Sequence, residues 1–207
     1  MPKGSEALAS ARREEIVSAC AALYETMPFR EITLKEIGQK TSFTRTSIYN
    51  YFQTREEIFL ALLQREYEAW TADLEALQSR TPADAAFADA LAATLERRVC
   101  MLKLMAMNLY DIEANSRLEN LVAFKEAYGR SMRQVCRCLE QAFPAMPEAD
   151  RRRFLYAFFP FLFGVYPYTA ATDKQRRAME LAHVEGVRLS VREIVRAFAE
   201  TLLRGLL

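Results

Sequence analysis

The chain has 207 residues, 51% of them hydrophobic and 27% charged, a balance that can bury a core and excludes a disordered or fibrous chain. Its formal net charge of +1 says nothing by itself about partners, so any basic surface has to be local. Six glycines and seven prolines, with Leu, Ala, Glu and Arg abundant, point to an all-α chain, and Cys20, Cys100, Cys136 and Cys138 lie in helix-like stretches and read as reduced thiols.

The opening segment MPKGSEALASARREE has no apolar run and does not read as a signal peptide. A first helix is expected from about Ser5 to Glu25, with Ile16, Cys20 and Leu23 on one face. Thr33-Leu-Lys-Glu36 has the spacing of a capping box, and Ile32 and Ile37 stand where a hydrophobic staple would be. Short helices are expected over 34–40 and 45–52, then a long one from Arg55 to about Gln78, opened by Thr54-Arg-Glu-Glu57. Beyond it, Thr81-Pro82-Ala-Asp84 opens a helix over 82–99, followed by helices over 101–110, 117–142 and 148–167. Thr172-Asp-Lys-Gln175 and Ser190-Val-Arg-Glu193 open the last two, over 173–182 and 191–204. The uncharged run from Phe154 to Thr172 is long enough to span a bilayer. It holds Pro160, Gly164, Pro167 and tyrosines rather than an aliphatic run, which favours a buried helix bent at Pro160 and no membrane partner.

Two short helices joined by the turn TSF, after a longer supporting helix, make a helix-turn-helix arrangement. In such a pair the second helix enters the DNA major groove. Ile48 and Phe52, one turn apart, would seat that helix on the first one, leaving Thr44, Arg45, Thr46, Ser47, Tyr49 and Tyr51 free to face DNA. The residue types suit the task, because arginine can donate twice to guanine, threonine offers a hydroxyl or a methyl, and hydroxyls bind phosphates. Within 33–55, Lys35, Lys40, Arg45 and Arg55 face Glu36 alone, so the basic field is confined to this segment.

The stretch TLKEIGQKTSFTRTSIYNYFQTREEI resembles the DNA-binding region of TetR-type (tetracycline-repressor-like) transcriptional regulators, without a gap. The resemblance implies that Arg45, Thr46 and Tyr49 meet bases or adjacent phosphates, and that Thr33, Ser47, Tyr51 and Arg55 hold the DNA backbone. It implies an N-terminal three-helix DNA-binding domain over 1–54 and a larger helical effector-binding and dimerisation domain over 55–207. The expected location is cytoplasmic, on the bacterial nucleoid when DNA is bound. One departure concerns the turn, where Ser42 stands in place of a common glycine; a left-handed serine there would cost about 1 kcal/mol.

The resemblance further implies a homodimer built from the last two long helices. Val191, Ile194, Val195, Phe198 and Leu202 form a wide apolar stripe suited to this, with Phe154 beside them. A two-fold dimer would read a palindromic operator. The aromatic run RFLYAFFPFLFGVYPYT reads as core and dimer contact, with a small-molecule effector pocket as the alternative on its other face. Met101, Met105, Phe158, Phe161 and Tyr166 are the candidate lining, and an apolar or amphipathic effector would release the DNA. No cofactor is expected and no metal, since Cys136-x-Cys138 has the wrong spacing for a zinc pair. One histidine, no glycine-rich phosphate loop and no nucleophile elbow argue against an enzyme. His183, beside an expected loop, reads as solvated or capping. A constitutive DNA binder without effector, and a helical protein-interaction module, remain as alternatives.

Overall fold

Backbone capping decides where this chain turns. The computed structural model describes residues 3–80, 86–186 and 189–207, with the backbone alone described at 3–5, 45 and 107. Among the described residues the elements are α1 (Lys3–Thr26), a 3-10 turn at Phe29–Glu31, α2 (Leu34–Gly38), α3 (Arg45–Ile48), α4 (Arg55–Arg80), α5 (Phe87–Glu96), α6 (Val99–Ala114), α7 (Leu118–Ala142), α8 (Glu148–Thr169), α9 (Asp173–Leu181) and α10 (Val191–Leu206). No strand occurs among them, so the chain is all-α as expected.

The expected caps have individual outcomes. Thr172 with Gln175, and Ser190 with Glu193, form reciprocal capping boxes at α9 and α10. Thr33 caps α2 by accepting the Lys35 N–H at 3.2 Å while its hydroxyl donates to Glu36. At α4 the Thr54 hydroxyl accepts the Glu57 N–H at 3.1 Å, and the Glu57 carboxylate accepts the N–H of Gln53, one residue before the cap, at 2.7 Å. The expected cap at Thr81-Pro82-Ala-Asp84 lies outside the described residues.

Two short helices are shorter than the sequence suggests. After Ile48 the N–H groups of Asn50 and Tyr51 bond to carbonyls three residues back, at 3.2 and 2.9 Å. This tightens the end of the expected 45–52 helix into turns. After Gly38 the Lys40 and Thr41 N–H groups do the same, at 3.0 and 3.4 Å.

Packing divides the chain into two compact units, one of Met1–Glu66 with Asn108–Ala127, the other of Tyr67–Met107 with Tyr128–Leu207. A boundary at residue 54/55 follows chain order, whereas the contacts group Asn108–Ala127 with the N-terminal helices. The first unit closes on Ile16, Cys20, Tyr24, Ile32, Ile37, Ile48, Phe52 and Phe59, all buried. Phe59 meets Tyr24 edge-on at 5.3 Å and Phe29 at 4.6 Å, packing that adds to their burial.

The second unit closes on Trp70, whose ring lies 5.7 Å from Phe159, which in turn meets Tyr128 edge-on at 5.5 Å. The buried Trp70 Nε1–H donates to the Thr94 hydroxyl at 2.9 Å, and that hydroxyl donates to the Leu91 carbonyl at 2.7 Å, so these two buried side chains are paired. Along α10, Val191, Val195, Ala199 and Leu203 form one buried stripe, and α10 packs against α5 and α8. Helix α8 continues through Pro160 and Pro167 instead of breaking at either, and both prolines are exposed. A carbonyl freed by the missing proline N–H can then be served by water. The chain turns instead between α8 and α9, by 81°; no single helix among the described residues is long and apolar enough to cross a membrane.

His183 is exposed with φ 53°. Its N–H reaches the Glu180 carbonyl at 3.2 Å and the Val184 N–H reaches the Met179 carbonyl at 3.0 Å. This is the Schellman ending of a helix, with histidine where glycine is usual. The expected capping role is therefore played by its backbone.

Candidate nucleic-acid interface

The helix-turn-helix is held from beneath. Ile48 and Phe52 are fully buried, and the Arg13 guanidinium lies over the Phe52 ring at 4.4 Å. On the other side of α3, Thr44, Thr46, Tyr49 and Asn50 are exposed, Tyr49 by 49%. Thr44 and Ser47 share a hydroxyl–hydroxyl hydrogen bond of 3.1 Å, and Ser47 is half-buried. The Arg45 side chain lies outside the described residues.

The turn before α3 corrects one expectation. Among the described residues, His183 is the one non-glycine residue with positive φ, so Ser42 carries no left-handed strain. Its N–H and hydroxyl both donate to the Glu15 carboxylate of α1, the hydroxyl at 3.0 Å. Thr41 adds hydroxyl contacts to the Gly38 and Phe43 carbonyls at 3.0 and 3.1 Å. A side chain from the supporting helix thus satisfies the turn that a glycine would otherwise relax. Phe43 carries Arg12 over its ring at 5.8 Å and lies 6.5 Å from Tyr51, which is half-buried. Arg12, Arg13 and Glu15 were not legible as site residues, because their partners lie far along the chain and the motif RREE has the look of any solvated helix face.

Arg55 is engaged by the protein's own backbone. Its guanidinium donates to the carbonyls of Phe29, Arg30 and Ile32 at 3.1, 3.4 and 3.2 Å, stacks on Phe29 at 4.6 Å, and pairs with Glu56 at 2.8 Å. It closes the 3-10 turn. Thr33 remains exposed at the start of α2, and Lys35 and Lys40 are exposed beside it. The Thr33 hydroxyl holds the Glu36 carboxyl below the usual carboxylate range.

The residues expected to line an effector pocket are Met101, Met105 and Phe158, all buried, and Phe161 and Tyr166, both half-buried. The Tyr67 hydroxyl lies 3.3 Å from the Met105 sulfur. Burial raises the Tyr166 phenol, as does the nearby Cys100 thiol, and burial lowers the Lys103 ammonium. Of the expected dimer residues, Phe154 and Val195 are fully buried and Val191 nearly so, within this one chain. They correct the earlier expectation, since the protomer's own core consumes them. Ile194, Phe198 and Leu202 are half-buried, with Phe198 stacked on Phe161 at 3.8 Å.

Residues 16–62 match the family described as bacterial regulatory proteins of the tetR family, and residues 64–207 match the tetracyclin repressor-like C-terminal domain. The chain belongs to the TetR family. The TetR fold extends to solved structures. PfmR from Thermus thermophilus has a TM-score of 0.57 at 17% identity, covering 93% of this chain and 98% of that one. The fatty acid degradation regulator FadR from Bacillus halodurans has a TM-score of 0.52 at 15% identity, covering 94% and 99%. The HTH-type transcriptional regulator RutR of Escherichia coli O157:H7 is 25% identical over 127 residues, 57% of this chain and 60% of RutR. The match thus spans less than two thirds of that relative. TetR-family proteins are DNA-binding transcription factors and not enzymes.

Proposed function

We propose that this protein is a ligand-responsive transcriptional repressor that binds palindromic operator DNA as a homodimer. The observation that carries the proposal is the two-sidedness of α3, with Ile48 and Phe52 fully buried while Thr44, Thr46 and Tyr49 face solvent. A helix seated in this way offers its hydroxyl side to a major groove, with the α3 N-terminus nearest the bases. Arg45, Thr46 and Tyr49 read base edges or adjacent phosphates, and Thr33, Thr44, Ser47 and Tyr51 fix the register. Lys35 and Lys40 supply local positive charge, which is modest, so one protomer binds weakly and the pair binds well.

Dimerisation uses an apolar surface that the protomer leaves open. Along α8, Tyr156, Pro160, Phe163 and Pro167 recur at helical spacing and are all exposed, Tyr156 by 73% and Phe163 by 37%. Half-buried Ile194, Phe198 and Leu202 on α10 supply the second stripe. The effector is small and apolar or amphipathic, bound among Met101, Met105, Phe158, Phe161 and Tyr166. Support for this comes from Tyr166 and Lys103, polar groups partly buried on α8 and α6, the elements that carry this apolar lining. The effector releases DNA by preferring the DNA-incompatible state; a 100-fold preference is worth about 2.7 kcal/mol.

Selection from a random pool of duplexes, followed by anisotropy at several salt concentrations, tests the DNA reading. A palindromic consensus with steep salt dependence is the expected result, and no enrichment overturns it. Calorimetric titration of the effector with and without operator tests release, and equal affinities in the two cases would end that part.

A further inference from the structure

Glu57 is a buried carboxylate, 1% exposed, on the first turn of α4. Four hydrogen bonds converge on it. The Gln53 N–H donates at 2.7 Å, the Arg117 N–H at 3.1 Å, and the Arg117 guanidinium from two nitrogens at 2.6 and 3.0 Å. A second link runs beside it, from the Thr54 hydroxyl to the Asn115 carbonyl at 2.9 Å. Asn115 and Arg117 form the corner between α6 and α7, and both belong to the same compact unit as α3.

The clamp grips the chain at Gln53, after the turns that follow α3. Gln53 directly follows Phe52, the second buried anchor, and the N–H groups of Tyr51 and Phe52 bond to the Ile48 carbonyl at 2.9 and 3.0 Å. Hydrogen-bonded turns thus link the clamp to Tyr49. Arg13 lies over the Phe52 ring, its guanidinium within electrostatic reach of both Glu57 and Arg117. A bidentate arginine–carboxylate pair accepts a narrow range of geometries, so it fixes an angle as well as adding energy.

We propose that Glu57 and Arg117, with Thr54 and Asn115, are positioning residues. They touch no DNA, yet they set the angle at which α3 presents its hydroxyl face, and operator selectivity depends on them. This rests on the reading that α3 enters a DNA groove. Selectivity is the relevant quantity because phosphate contacts tolerate a small tilt, whereas base-edge hydrogen bonds do not.

The test uses the full chain, an operator recovered by the wild type from a random duplex pool, and a scrambled duplex of the same length and composition. The readout is the ratio of the two dissociation constants, with thermal melts as control. Arg117→Lys keeps the charge and loses the fork; Thr54→Val loses the second link, and Thr54→Ser keeps it. The expected result is a ratio lowered roughly tenfold by Arg117→Lys and by Thr54→Val, unchanged scrambled-duplex affinity, and rescue by Thr54→Ser. The proposal is overturned if both altered variants discriminate as well as wild type, or if they lose both affinities in proportion to their melting temperature. A wild type that enriches no sequence would instead remove the DNA reading on which the proposal rests.

Discussion

Around α3 the chain buries two apolar anchors and turns hydroxyls outward, whereas on α8 and α10 it buries one apolar stripe and leaves a second open. Both regions are helical and both bury apolar residues, so the difference lies in what each exposes. Hydroxyls ordered along a short helix are matched by phosphates and base edges. Tyr156, Pro160 and Phe163, exposed on a helix already packed on its other side, are matched by another apolar surface. On the proposed function one chain carries both surfaces, because a palindromic site would take two copies of α3.

The largest expected effect tests the inner side of the reading helix. Phe52→Ala should lower stability to urea by about 3–5 kcal/mol, because it empties a fully buried aromatic site. Tyr49→Phe, on the outer side, should change stability by less than about 0.5 kcal/mol while weakening operator binding. If Tyr49→Phe destabilises and binds DNA normally, the two sides of α3 have been assigned the wrong way round.

The corresponding cut on α8 is Phe163→Glu. Phe163 is 37% exposed, so a carboxylate there should spare the protomer fold. It should cost the dimer about 2 kcal/mol, roughly a thirtyfold rise in its dissociation constant. Light scattering after gel filtration would show monomer at concentrations where the wild type is dimeric. An unchanged mass would move the interface off this stripe.

A third test compares the buried carboxylate of the reading unit with the exposed ones. Burial pushes the Glu57 carboxyl up, but hydrogen bonds from the Arg117 side chain and from the Gln53 and Arg117 N–H groups outweigh it and hold it below its ordinary value. A carboxyl depressed by folding adds stability that is complete above its unfolded value of 4.5 and is lost as pH falls through the folded one. Stability should therefore fall on acidification below about pH 5, less steeply in Glu57→Gln than in wild type. Glu36, Asp89 and Glu193 are depressed too and give both proteins a common background slope. Parallel slopes would mean that Glu57 keeps an ordinary affinity for protons.

Local rules made much of this architecture legible. Ser190 with Glu193 and Thr172 with Gln175 are capping boxes because both partners lie within one turn, and Ile48 with Phe52 marks the buried side of α3 for the same reason. What stayed hidden depends on long separations. Ser42 and Glu15 are 27 residues apart, and Arg117 and Glu57 are 60 apart; neither pair has a spacing that a helix or turn dictates. Arg55 looks like a phosphate ligand from its position after the motif, yet the carbonyls of the 3-10 turn, invisible in the apolar pattern, take its guanidinium. On α10 the apolar stripe was legible but its partner was not: Val191 and Val195 face the protomer's own core, and Ile194 and Leu202 lie beside it. Amphipathicity tells how wide a buried face is, not which chain buries it.

The smallest expected effect concerns α9, which differs from α3 in how it is held. Helix α3 is four residues long and is fixed by buried anchors, whereas α9 is nine residues long and has no buried residue. Its ends must therefore supply much of its local stability: the Thr172–Gln175 box at one and the His183 ending at the other. A histidine at φ 53° bears the cost of a left-handed backbone, about 1 kcal/mol, which glycine does not. His183→Gly removes that cost but adds freedom to the unfolded chain, leaving a net gain of about 0.5 kcal/mol and a rise in melting temperature of roughly 1–2 °C. His183→Ala keeps the strain and should give no gain, which separates the backbone effect from any contact of the imidazole. A lower melting temperature in His183→Gly would mean that the side chain, though exposed, holds the end of α9, and the helix would then depend on a contact rather than on its backbone caps.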